Sequence, residues 1–113
     1  ARLASGICSE LEERTVHCDN LIMQFYHVYV LISLKDLKFY IGRTNNLSRR
    51  MAEHDVGKNI STAKRRPLCL IFYESFLDKK DSVRRERYFK SSKGKTTLRQ
   101  MIREFLKSYK CPT

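Results

Sequence analysis

The sequence predicts an α/β domain, more narrowly α+β: a small three-stranded, mainly antiparallel sheet flanked by helices, in the order ββαβαα. Three observations carry that expectation. Phe25–Leu34 and Leu68–Tyr73 are apolar runs rich in β-branched and aromatic residues, as strands are. Leu47, Met51 and His54 recur at helical spacing, as do Leu98, Met101, Ile102, Phe105, Leu106 and Tyr109. The chain has 113 residues, enough for one domain with a core of its own.

Residues 1–22 differ in texture from the rest. They carry two basic and four acidic side chains, and Met23 stands just before the first strand-like run. They are read as an N-terminal extension or leader, with residues 23–113 as the domain; Ser9–Arg14 suits one helical turn, too short to be stable alone. The first strand is FYHVYVLISL, whose near-continuous apolarity suits a central position in the sheet. Lys35–Lys38 has turn length, and Phe39–Gly42 returns as a second strand to make a hairpin. Asn45 or Asn46 can cap a helix from Leu47 to about Asp55. Gly57–Pro67 reads as a polar, basic loop, and Leu68–Tyr73 as a third strand buried on both faces. Asp78–Asp81 offer caps for a helix through Ser82–Lys90; Gly94 breaks the chain within Ser91–Lys95, and Thr96 or Thr97 caps the last helix.

Charge narrows the function. Lys and Arg number 23 against 12 Asp and Glu, a formal net of +11, and residues 23–113 alone hold 21 against 8. Such an excess repels itself unless a polyanion shares the surface, which points to nucleic acid rather than to a membrane. No apolar run approaches the ~20 residues of a membrane span, and no secretory signal precedes the domain. Cys8, Cys18, Cys69 and Cys111 show no C-x-x-C spacing, so zinc is not expected and a reducing cytoplasmic setting is (nucleoid-associated in a bacterium).

Phosphate-binding glycine loops, nucleophile elbows and zinc-protease helices are missing, and no paired carboxylates suggest a two-metal site. What remains is Tyr29 and Tyr40 on adjacent strands, Arg50 and His54 on one helix face, and Glu86 within the cationic stretch Arg84–Lys90. Each has a plainer reading. Strand tyrosines usually pack, His54 suits a surface or cap, Arg50 suits a simple phosphate contact, and Glu86 suits an ion pair with Lys90. Lys58, Lys64, Arg65, Arg66, Arg84, Arg87, Lys90, Lys93 and Lys95 are the cations expected to meet phosphates.

Val28-Tyr29-Val30 followed by Tyr40-Ile41-Gly42 resembles the paired signature of the GIY-YIG nucleases. The resemblance continues through Thr44, Leu47, Arg50, His54 and Gly57, then Arg66-Pro67-Leu68, Tyr73-Glu74 and the stretch around Glu86 and Lys90. It is closest to small single-domain members related to the nuclease domain of the excinuclease C subunit. The resemblance implies a DNA endonuclease, structure-selective and repair-related, with RNA as a second partner and one Mg²⁺ or Mn²⁺ as cofactor. It gives Tyr29 and Tyr40 the signature tyrosine roles, one of them activating water. Arg50 would stabilise charge on the phosphate, His54 would assist proton transfer and Glu86 would hold the metal. Two departures stand against it: the first signature half keeps only its tyrosine, and no Asn follows Asn59 to accompany the metal-binding Glu. The alternative is therefore a nucleic-acid-binding module with this fold and little or no cleavage. A structural RNA binder would share the charge without needing Glu86.

Overall fold

The computed structural model describes residues 23–108. The expectations for residues 1–22, Cys8, Cys18, Tyr109 and Cys111 lie outside the described residues. Strands β1 (Tyr26–Ser33), β2 (Phe39–Thr44) and β3 (Leu68–Phe76) form one antiparallel sheet in the order β2-β1-β3. Helices α1 (Leu47–Asp55) and α2 (Ile60–Ala63) follow β2, and α3 (Lys79–Lys90), α4 (Ser92–Met101) and α5 (Arg103–Ser108) follow β3.

The fold class is the one the sequence predicts. β1 is central, and its alternation sorts the core. Val28 and Val30 are fully buried on one face with Ile41 of β2, Phe89 of α3 and Leu98 of α4. Each such side chain contributes roughly 1.5–3 kcal/mol by leaving water. Tyr29 and Leu31 point to the other face, equally buried.

Four local readings are corrected. The Gly57–Pro67 loop contains the short α2, capped by Asn59, whose side chain accepts from the Ser61 N–H at 2.9 Å; a single polar turn has no apolar period to betray it. β3 is an edge strand, with Leu70 37% and Tyr73 53% exposed, so its apolar run does not mean burial on both faces. Gly94 does not break the chain. Ser91 both ends α3 and starts α4, accepting from the Gly94 N–H at 3.0 Å, and a Cβ on Gly94 would collide with the Tyr88 carbonyl. That glycine lets α3 and α4 approach closely, a job its sequence context cannot distinguish from a break. The last helix is also divided, α4 closing at Ile102 before α5 begins.

Capping elsewhere follows ordinary side-chain chemistry. Asn46 caps α1 by accepting from the Arg49 N–H at 3.0 Å, and Asp78 caps α3 from the Lys80 N–H at 2.8 Å. The β1–β2 turn places Leu37 at φ 60°, a left-handed conformation that a side chain adopts at a cost.

Candidate active site at the edge of the sheet

The site is built around β2, the edge strand that leads into α1. Tyr29 pairs across the ladder with Gly42, so both point to the face covered by α1. A Cβ at position 42 would strike the Tyr29 hydroxyl. Glycine there lets the ring of Tyr29 cross β2 and reach the helix beyond.

There the hydroxyl meets α1. Tyr29 Oη lies 2.8 Å from His54 Nε2, and His54 Nδ1 lies 2.8 Å from Thr62 Oγ1 of α2. Arg50 Nε donates to the same Tyr29 oxygen at 3.3 Å, and its Nη1 donates to Glu53 at 2.9 Å. Directions follow from what each group can do. Arginine only donates, so Tyr29 accepts from Arg50 and sends its own proton to His54 Nε2. The imidazole then carries its proton on Nδ1 and donates to Thr62. Tyr29, His54 and Thr62 are essentially without solvent exposure, so this chain lies wholly inside the protein.

Burial sets the charges. It holds the Tyr29 phenol up at about 12; the hydrogen bond and charge of Arg50 pull the other way without overcoming it. The nearby Arg50 cation therefore does not make Tyr29 acidic. His54 is held below its ordinary value by burial first and by the Arg50 charge second, so it is neutral near pH 7. The Tyr29 and Glu53 hydrogen bonds keep Arg50 firmly protonated, and Arg50 in turn holds Glu53 below the usual carboxylate range.

Tyr40 completes this side. Its ring packs against His54 at 5.4 Å and Tyr29 at 6.4 Å between centroids, but it remains partly exposed. Glu86 approaches from the opposite face. Arg43, one residue beyond Gly42, alternates toward α3 and donates to Glu86 Oε1 at 3.4 Å, while Lys90 Nζ lies 3.0 Å from Oε2. The negative charge of Glu86 is felt at Tyr29, where it helps raise the phenol. The site thus straddles one strand, with tyrosines, histidine and Arg50 on one side of β2 and the carboxylate on the other.

A family model described as the GIY-YIG catalytic domain matches residues 25–100. The chain belongs to the GIY-YIG family. That family is known for endonucleases, and the match points to a nuclease-type fold. The chain is similar to the UPF0213 protein YazA of Bacillus subtilis, 42% identical over 65 residues that make up 57% of this chain and 66% of the relative. It is 36% identical to the UPF0213 protein SH2523 of Staphylococcus haemolyticus over 73% of this chain and 99% of that one. A solution NMR structure of the UPF0213 protein BH0048 from Bacillus halodurans resembles it with 31% identity and a TM-score of 0.45, covering 68% of this chain and 84% of that one.

Within this GIY-YIG domain the expected phosphate contacts divide into two sets. Arg65 is tied to Asp36 and to the carbonyls of Lys38 and Phe39, and Arg66 to the carbonyls of Ala63 and Asp55. Both arginines brace the α2–β3 segment. Arg84 pairs with Asp81 at 2.8 Å and Lys90 with Glu86. Lys58, Lys64, Arg87, Lys93 and Lys95 are exposed and form no ion pair among the described residues, as do Lys79 and Lys80, which the sequence reading passed over. Lys79, Lys80, Arg84, Arg87 and Lys90 line one flank of α3, beside Glu86. Sequence reasoning also missed Thr62, Glu53 and Arg43. Glu53 stands three residues after Arg50 and was readable as a helix pair; Thr62 and Arg43 are joined to their partners only by the fold.

Proposed function

We propose that this domain is a metal-dependent endonuclease that hydrolyses phosphodiester bonds of DNA, with RNA as a second candidate substrate. The observation that carries the reading is the convergence on β2 of Tyr40, Arg50 and Glu86 around the buried Tyr29–His54–Thr62 chain. That chain fixes Arg50 and packs under Tyr40. A structure built only to bind phosphates has no use for it.

The roles follow from exposure. Tyr29 is fully buried and keeps its proton to about pH 12, so it orients Arg50 and His54. Tyr40, partly exposed over His54, is the phenol able to meet water, and the water-activating role falls to it. Arg50, held charged by Tyr29 and Glu53, faces the phosphate as negative charge builds.

The residues fit a single divalent cation. Among the described residues no group of three potential metal-binding side chains occurs. A lone carboxylate suits Mg²⁺, which keeps most of its waters and completes its shell with substrate phosphate. Glu86 would hold it, with the exposed, flexible Lys90 as the exchangeable partner on Oε2. When bound, the ion supplies Lewis-acid polarisation and charge neutralisation at the phosphate.

Nicking of supercoiled plasmid by purified protein tests the reading. Cleavage is expected with Mg²⁺ or Mn²⁺, lost with chelator and lost in Tyr40→Phe. Branched substrates test the repair-related, structure-selective part. The second reading, a binding module, is favoured by one observation: both Glu86 oxygens are already matched by cations. Binding without cleavage across duplex, branched and single-stranded DNA would establish that reading instead.

A further inference from the structure

A second cationic feature lies at the other end of β2. A cavity of about 520 Å³ is bounded by Asp36, Leu37, Lys38, Phe39, Arg65, Lys95 and Arg99, four cations against one carboxylate. That carboxylate is already committed. Both Asp36 oxygens accept from Arg65, which holds the carboxyl down at about 2. Arg65 itself is immobilised by those bonds and by the carbonyls of Lys38 and Phe39, and its Nη1 hydrogens remain unused.

Arg99 adds a built element. Its guanidinium lies 5.2 Å from the centre of the Phe39 ring. Stacking of this kind fixes the plane of the group and leaves its edge donors available. Lys95 stands four residues earlier on α4, so two cations share one helix face with no anion between them. Like charges at that spacing oppose each other unless a ligand is shared.

We propose that this cavity is a phosphate subsite for the backbone of a nucleic-acid strand. The inference rests on the nuclease reading for what lies at the far end of the strand. Phe39 and Arg43 are four residues apart on β2, hence on the same face and separated by about 13 Å. Along one strand of B-DNA the phosphates rise about 3.4 Å per step but also wind around the axis, so neighbours stand about 7 Å apart and second neighbours about 13 Å apart. A strand whose reacting phosphodiester sits beside Glu86 would therefore present its second neighbouring phosphate to Arg65, Lys95 and Arg99. The subsite adds fixed, bidentate donors to the diffuse cations of α3 and sets the position of the strand along β2.

The test is the salt dependence of binding a DNA duplex by metal-free protein in chelator, so that no cleavage enters. The double variant Lys95→Gln/Arg99→Gln should lower the log–log slope by nearly two, leaving about a tenfold smaller loss of affinity between 50 and 200 mM salt. Arg99→Lys, which keeps charge and removes the stacked fork, should keep the slope while weakening binding. An unchanged slope in a double variant whose melting temperature is preserved would overturn the subsite. In parallel, inorganic phosphate titrated into ¹⁵N-labelled protein should shift the amides of Lys38, Phe39 and Lys95–Arg99. Shifts with free phosphate but an unchanged DNA slope would mean a small-anion site, and the strand assignment would fall. A wild type that binds with this slope but never nicks leaves the subsite standing and removes only the nuclease reading.

Discussion

At the scale of single residues, the fold commits two ionisable groups to the interior and makes their protonation part of its stability. The unfolded chain ionises Tyr29 above pH 10.0, its ordinary value, whereas the folded protein keeps that proton to about 12. Stability is therefore full below pH 10.0 and is lost as pH rises through 12, by about 2–3 kcal/mol. His54 runs the other way: the unfolded chain takes up a proton near 6.5 and the folded imidazole resists it, so stability is lost as pH falls below 6.5. Melting temperature followed across pH should plateau between these limits, and Tyr29→Phe should flatten the alkaline fall. Thr62→Val is the sharper probe. It keeps shape but strips the acceptor from His54 Nδ1, leaving a buried N–H unsatisfied at a cost of roughly 1–3 kcal/mol. Denaturant unfolding measures that cost, and ¹⁵N shifts of the imidazole report whether the proton leaves Nδ1. That Tyr29 and Tyr40 are neighbours, and Arg50 and His54 share a helix face, was legible because strand pairing and helical spacing are local rules; their roles came only from the resemblance. Thr62 was not, since a threonine in a polar segment has no pattern that names its partner.

At the scale of elements, the hairpin tip and the α3–α4 junction show how backbone conformation selects residues. Leu37 occupies the left-handed region at the hairpin tip and is exposed, so its side chain gains little from packing. Replacing it with Gly relieves a conformational cost of about 1 kcal/mol, partly offset by the freer unfolded chain. The expected result is a small rise in melting temperature with no change in DNA affinity; a clear fall would show that Leu37 holds the turn. Gly94 teaches the reverse lesson. A glycine among Ser and Lys reads as a break, yet here it serves contact between α4 and the Tyr88 carbonyl, and Tyr88 Oη meets Thr97 Oγ1 at 2.6 Å nearby. β3 was misjudged because apolar composition measures what can be buried; whether another strand lies beyond it is decided by the whole sheet.

At the scale of the molecule, the separation of braced from available cations bears on how nucleic acid is held. Arg65 keeps only part of its donors and Arg66 spends donors on the carbonyls of Ala63 and Asp55, so α3 and α4 are expected to supply most of the phosphate contacts. With ~5 contacts, log affinity against log salt should slope near −4 to −5, and Lys79→Gln/Lys80→Gln should lower it by nearly two. A slope near zero would remove nucleic acid as the main partner. In the proposed site, α3 sets a metal-binding carboxylate, Glu86, across β2 from Arg50 and Tyr40. Glu86→Ala tests it most directly, assayed side by side for plasmid nicking with Mg²⁺ and for DNA affinity in chelator. The variant also removes the negative partner of Arg43 and Lys90. Cleavage is expected to disappear while metal-free affinity holds or rises. Undiminished metal-dependent cleavage by the Glu86→Ala protein would contradict the assignment of the metal to Glu86.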